Sequence, residues 1–114
     1  MPVIDPHWEV SVQEVQAMLA GTVEVLLLDV RQPDEHARGR IEGARLLPLP
    51  ELDKRLGELR DLAAGRDVIA YCHHGSRSLQ AVAILRRAGF EQVRSMAGGI
   101  DAWSVYVDAS VPRY

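Results

Sequence analysis

The sequence predicts an α/β fold, in which helices cover both faces of a mainly parallel central sheet. Two short apolar runs, at residues 25–30 and 67–71, are typical of strands that are buried on both faces. Segments with apolar residues at helical spacing lie between such runs, and this alternation favours a parallel sheet. The length of 114 residues, with 47% hydrophobic and 25% charged residues, suits one folded domain, which we assign to residues 1–114.

The first half of the chain contains one well-marked helix among short elements. Ser11 and Glu14 have the spacing of a capping box and predict where this helix begins. Gly21 is a suitable end for it. In chain order, this half is predicted to contain a strand at 8–10, the helix from 12 to Gly21, a strand at 25–30, a helical turn at 33–38 and a strand at 45–47.

The second half contains two longer predicted helices. The first begins after Pro50 and ends near Gly65, because four apolar residues share one helical face: Leu52, Leu56, Leu59 and Ala63. A mostly apolar segment that ends before Gly89 predicts the second helix, at 78–88. The other predicted elements are strands at 67–71 and 92–96, and a short helix after Gly98 that contains the core residue Trp103.

Composition excludes several classes of function. Cys72 is the only cysteine, so the chain cannot form an internal disulfide, a cysteine-rich zinc site, an iron–sulfur cluster or a dithiol redox pair. A net charge of −3 argues against nucleic-acid binding. The longest apolar run, at 81–85, is far too short to cross a membrane, and residues 1–7 lack the pattern of a signal peptide. We therefore expect a cytoplasmic protein.

The most informative segment runs from Cys72 to Ser78, at the carboxyl end of a predicted strand, where parallel sheets bind ligands. A thiol at the start of a helix, near arginine or histidine, is shifted towards the nucleophilic thiolate. Backbone N–H groups of a short loop before a helix form a cradle for anions, and Gly75 permits a tight turn there. Arg77 either completes this cradle or ties the loop down. The alternative is that Cys72 is only a small buried apolar residue.

Residues around Cys72 are candidates for substrate binding. His73, His74, Gly75, Ser76 and Arg77 line the loop, either through their side chains or only through backbone N–H groups. We expect no metal site, because adjacent residues rarely converge on one ion.

A neighbouring predicted strand ends in polar residues. Asp29 and Arg31 lie near the same sheet edge as Cys72, where Arg31 either guides an anion or forms a hydrogen-bonded pair with Asp29 that locks the loop. Glu35 and His36 are expected to be structural or surface residues.

Four motifs occur together in a recognisable order. They are Asp29-Val-Arg31, the segment Glu-His-Ala-Arg-Gly-Arg-Ile-Glu-Gly-Ala at 35–44, Cys72-x-x-Gly75-x-Arg77, and Gly98-Gly99-x-x-x-Trp103. In these motifs, and in its ending at 111–114, the chain resembles the rhodanese-like sulfurtransferases along nearly its whole length. Arg40 stands where that family usually has histidine, which argues against a pH-linked role at this position.

The resemblance implies a sulfurtransferase that needs no cofactor. Cys72 is expected to take the outer sulfur of a donor such as thiosulfate as a persulfide, with Arg77 as its catalytic partner. The sulfur then passes to cyanide, to a small thiol, or to a relay protein that binds in trans.

Two alternative functions stay open. One is a non-catalytic interaction module with the same fold. The other is a phosphatase or arsenate reductase, which is disfavoured because its loop is one residue longer than the six residues from Cys72 to Arg77 and because no resolving thiol is present.

Overall fold

A five-stranded parallel sheet organises the computed structural model, which describes residues 5–114. The strands are β1 (Glu9–Val10), β2 (Val25–Asp29), β3 (Arg45–Leu46), β4 (Asp67–Tyr71) and β5 (Val93–Met96). They lie side by side in the order β1-β5-β4-β2-β3. The helices are α1 (Val12–Ala20), α2 (Pro33–Arg38), a 3-10 helix (Leu49–Lys54), α3 (Leu56–Ala63), α4 (Ser76–Arg87) and α5 (Gly99–Tyr106). The predicted α/β class and parallel sheet are confirmed.

Alternate residues of the central strands supply two separate apolar cores, one on each face of the sheet. In β4, Val68 and Ala70 belong to one core, whereas Ile69 and Tyr71 belong to the other. The first core contains residues of α3 and α4, and the second contains residues of α1 and α5, including the buried Trp103. This arrangement explains why β2 and β4 are continuously apolar, since a strand covered on both faces has no side that meets water.

Four predicted strands differ from the structure by one residue at one end, and two predicted helices differ by more. The single helix expected between Pro50 and Gly65 is a 3-10 helix followed by α3, with Arg55 at the junction (φ −120°, ψ 22°). Apolar spacing of three to four residues does not distinguish these two arrangements. In addition, α4 begins at Ser76 rather than at residue 78, because Gly75 adopts a left-handed conformation that starts the helix directly.

Several elements agree with the sequence-based prediction. The Ser11 side chain accepts a hydrogen bond from the Glu14 backbone N–H and caps α1. The carboxyl ends of β2 and β4 are aligned, with Asp29 opposite Tyr71, so the segments that follow them meet at one sheet edge. Within residues 5–114, no helix combines the length and the apolar content needed to cross a bilayer. Residues 1–4, part of the segment predicted to lack a signal peptide, lie outside the described residues.

Candidate active site

The Cys72 thiol lies at the base of a loop that joins β4 to α4, and only 1% of the residue is exposed. Two backbone N–H groups point at its sulfur: that of Gly75, 3.1 Å from Sγ, and that of Ser78, 3.4 Å from Sγ. Donors in this arrangement stabilise negative charge on the sulfur better than they stabilise a neutral thiol. Two N–H groups of the loop are therefore directed at the Cys72 sulfur.

Helix α5 supports the loop from behind. Its backbone N–H groups at Ile100 and Asp101 donate to the carbonyl oxygens of Cys72 and His73, at 2.9 and 3.1 Å. This approach requires Gly99, because a Cβ atom there would overlap both of these carbonyl groups, and because Gly99 has a φ of +63°. The second glycine of the Gly98-Gly99 motif thus allows α5 to hold the Cys72 and His73 peptide groups in place.

Arg77 binds the carboxylate of Glu35 on α2. Its two terminal nitrogens donate to the Glu35 oxygens, at 2.6 and 2.9 Å. These hydrogen bonds are the main reason that the pKa of Glu35 falls to about 2, against the opposing effect of burial. Arg77 could either complete the N–H cradle or tie the loop down, and in the structure it ties the loop to α2.

Asp29 and Arg31 form a fully buried ion pair beside the loop. The Arg31 side chain donates to both Asp29 oxygens, at 2.9 and 2.7 Å, and also to the Gly39 carbonyl oxygen. His36 Nδ1 lies 2.8 Å from the second Asp29 oxygen. Because its guanidinium is occupied and buried, Arg31 locks the segment between β2 and α2 instead of reaching out to an anion.

Three aromatic rings stand in a row along the loop. His73 stacks between His74, with ring centroids 3.9 Å apart, and Tyr114, with centroids 4.0 Å apart and an interplanar angle of 8°. Burial, followed by the charge of His74, lowers the pKa of His73. His74 is largely exposed, so its ring is the more accessible of the two predicted histidines. Ser76 is exposed in the first turn of α4.

Tyr114 is a residue of the site that the sequence-based reasoning missed. The Tyr114 hydroxyl donates to Glu35 Oε2 at 2.6 Å and accepts from Arg31 at 3.0 Å, so it joins the two ion pairs. Glu35, which the sequence predicts to be a structural or surface residue, has a structural contact as the partner of Arg77. Arg40 is exposed and donates to the His36 carbonyl oxygen at 3.4 Å.

No metal centre is assembled by the part of the chain that the structure describes, since no group of three potential ligands comes together there. The site therefore consists of a buried sulfur atom, amide donors directed at it, and ion pairs that fix the surrounding loops. Such a site can hold a thiolate or another anionic sulfur species.

Sequence comparisons relate this chain to a known family. The profile of the rhodanese-like domain matches residues 11–105. A protein of Allochromatium vinosum named sulfurtransferase is 40% identical over 96 residues, covering 84% of this chain and 87% of that protein. The probable adenylyltransferase/sulfurtransferase MoeZ of Mycobacterium tuberculosis is 31% identical over 105 residues, which cover 92% of this chain but only 26% of that protein.

Solved structures agree with these matches. The human single-domain sulfurtransferase TSTD1 superposes with a TM-score of 0.74 at 29% identity, covering 86% of this chain and 96% of that one. The reduced CoADR-RHD protein of Bacillus anthracis gives a TM-score of 0.78 at 27% identity, covering 91% of this chain and 18% of that one. The chain belongs to the rhodanese-like domain family.

Proposed function

We propose that this protein is a sulfurtransferase in which Cys72 carries the transferred sulfur as a persulfide. Relatives named sulfurtransferase support sulfur transfer in general. One observation carries the finer proposal: the N–H groups of Gly75 and Ser78 both converge on Cys72 Sγ. A chain with a single cysteine has no internal thiol to resolve a bound sulfur, so the sulfur must leave to another molecule.

The proposed reaction has two half-reactions. The Cys72 thiolate attacks the outer sulfur of thiosulfate, a new S–S bond forms, and sulfite leaves with the electron pair of the broken bond. The terminal sulfur of the persulfide is then attacked by an acceptor, such as cyanide or a thiolate. Its bond to Cys72 breaks, the electron pair returns to Sγ, and thiocyanate or the acceptor's persulfide is released. A covalent enzyme intermediate of this kind gives ping-pong kinetics.

The remaining site residues have distinct proposed roles. Arg77 acts as the catalytic partner of Cys72 by holding the loop through Glu35, and its charge also favours an anionic sulfur. His73, His74, Gly75 and Ser76 are proposed to contact the donor and the acceptor. The buried pair of Asp29 and Arg31 supports these contacts from behind.

We propose small-molecule donors and acceptors, and a relay protein that binds in trans, as partners. A relative in Bacillus subtilis named putative sulfur carrier protein YrkF, 28% identical over 96 residues, fits the relay role. No cofactor is required by this chemistry. A catalytic thiol that has to remain free is favoured by the reducing conditions of the cytoplasm, the compartment that we propose.

Mass spectrometry tests the proposal directly. Incubation with thiosulfate should add the mass of one sulfur atom, and subsequent cyanide should remove it while thiocyanate appears. Cys72→Ser should abolish both events. If the wild-type protein gains no mass and produces no thiocyanate, the thiosulfate:cyanide reaction is wrong, and an interaction module becomes the better interpretation.

Two further variants separate catalysis from folding. Cys72→Ala should abolish transfer with little loss of stability, whereas a severe folding defect would favour a purely structural Cys72. Arg77→Lys should lower activity, because lysine cannot make the paired hydrogen bonds to Glu35. Arg55→Lys is the matched control, since Arg55 makes a similar paired contact with Glu58 on the exposed surface.

A further inference from the structure

A pair of buried serines lies behind the Cys72 sulfur. Ser95 on β5 and Ser78 on α4 are both fully buried, and their hydroxyl oxygens are 2.6 Å apart. Ser78 Oγ also lies 3.1 Å from the Gly75 carbonyl oxygen and 3.5 Å from Cys72 Sγ. A chain of buried polar atoms therefore runs from β5 through Ser78 to the Cys72 sulfur.

The direction of this chain follows from the number of protons available. Each serine hydroxyl has one proton to donate, and a buried proton without an acceptor is unfavourable. Within residues 5–114, the Ser95 hydroxyl has a single hydrogen-bond partner, Ser78. Ser95 must therefore donate to Ser78, since the reverse direction would leave the Ser95 proton without an acceptor.

This assignment leaves the Ser78 proton with two acceptors, the Gly75 carbonyl oxygen and Cys72 Sγ. A neutral thiol is a weak acceptor, so the carbonyl holds the proton while Cys72 is protonated. When the sulfur becomes negative it is the stronger acceptor, and a rotation of the Ser78 hydroxyl delivers a third donor to it. The third donor joins the N–H groups of Gly75 and Ser78.

We propose that Ser95 is a positioning residue for sulfur transfer, which acts by directing the Ser78 hydroxyl proton to the negatively charged Cys72 sulfur. The proposal rests on the persulfide function above. Ser95 affects the rate of the second half-reaction, in which the S–S bond breaks and the electron pair returns to Sγ. No proton is transferred in this step. A thiolate stabilised by hydrogen bonds is a better leaving group, so the acceptor removes the outer sulfur faster.

A single-turnover experiment on the full chain tests the proposal. Cys72 is loaded with thiosulfate, excess donor is removed, and the rate of thiocyanate formation is measured after cyanide is added. Ser95→Ala should slow this discharge about 3- to 10-fold, as expected for the loss of one oriented hydrogen bond near a charge. Ser95→Thr, which keeps the hydroxyl, should restore most of the rate. Unchanged discharge in Ser95→Ala would overturn the proposal.

Matched variants distinguish this effect from a general loss of packing. Ser104→Ala also removes a buried hydroxyl, one that donates to the Val111 carbonyl oxygen, and it should discharge at the wild-type rate. In a Ser78→Ala background, Ser95→Ala should cause no further slowing, because Ser95 acts through Ser78. If each substitution slowed the discharge by its own full factor in the double variant, Ser95 would not act through Ser78, and the proposal would be wrong.

A second readout does not depend on sulfur transfer. The rate at which iodoacetamide alkylates Cys72 rises with the thiolate fraction, so its pH profile reports how well the thiolate is stabilised. In Ser95→Ala this profile should move to higher pH, whereas in Ser104→Ala it should not move. If the wild-type protein accepts no sulfur but the profile shifts, the hydrogen-bond chain stands and the proposed function fails. If sulfur transfer occurs but neither readout responds to Ser95→Ala, only this inference fails.

Discussion

Arg77 and Glu35, which are 42 positions apart in the sequence, form a paired ion contact that joins the Cys72 loop to α2. Both terminal nitrogens of Arg77 take part, and the contact is partly shielded from solvent. The Arg77 cation is therefore bound to a protein carboxylate, which fixes the first turn of α4 and with it the N–H groups directed at Cys72.

Loss of the Glu35 charge should impair catalysis. Glu35→Gln keeps the shape of the side chain but removes one partner of the ion pair, so the loop loses its anchor. We expect sulfur transfer to fall about 10-fold, which is less than the roughly 100-fold loss that a misplacement of about 1 Å can cause. The steady-state rate of thiocyanate formation measures this loss of activity. Glu58→Gln, which breaks the exposed contact with Arg55, is the control and should behave like the wild type.

The same ion pair predicts how stability depends on pH. Folding lowers the pKa of Glu35 from 4.5 to about 2, chiefly through Arg77, so the ionised form stabilises the folded state. This contribution is complete above the unfolded value and is lost as pH falls from about 4.5 towards 2. Urea denaturation should show Glu35→Gln less stable than the wild type at neutral pH, with the difference shrinking across that interval. A difference independent of pH would show that Arg77 does not hold the carboxylate.

The buried pair of Asp29 and Arg31 should be the most sensitive ion pair in the chain. Asp29→Asn leaves the Arg31 charge buried without a compensating carboxylate, which typically costs about 3–5 kcal/mol. Chemical denaturation measures the change. Asp101→Asn is the control, because its partner Arg113 is well exposed, and such a pair contributes about 0–1 kcal/mol. Equal effects of the two substitutions would contradict the role of burial.

Two substitutions separate the role of the Tyr114 hydroxyl from the role of its ring. Tyr114→Phe keeps the ring against His73 but removes the hydroxyl that joins Glu35 and Arg31, and it should lower the free energy of unfolding by about 1 kcal/mol. Tyr114→Ala also uncovers His73. Because burial is the main reason that the pKa of His73 is lowered, this pKa should then rise towards 6.5, as followed by an NMR titration. In Tyr114→Phe the His73 titration should stay close to that of the wild type.

Gly99 should not tolerate even alanine. A Cβ atom at Gly99 overlaps the Cys72 and His73 carbonyl groups, and the positive φ adds backbone strain, so Gly99→Ala should lose about 3 kcal/mol or more. Gly57 on α3 provides the comparison, since a Cβ atom there meets nothing within 4 Å. Gly57→Ala should stabilise the helix by about 0.5–1 kcal/mol, so that the two thermal midpoints move in opposite directions.

The fold class and the position of the candidate site could be predicted from the sequence, because both depend on local patterns. Buried strands and helices are recognised within a few residues, and so are the loop from Cys72 to Arg77 and the glycine pair before α5. Local patterns failed where two structures share one spacing, as in the 3-10 helix before Arg55 and in the first turn of α4.

The contacts of the polar side chains could not be predicted from the sequence, because they depend on how distant segments pack together. Whether Arg77 faces a substrate or Glu35, and whether Arg31 guides an anion or binds Asp29, depends on how β2 and β4 are aligned and where α2 packs. Tyr114 reaches Glu35 across 79 positions. A side chain's partner at such a separation is set by the packing of the whole sheet, which has no periodic signature along the chain.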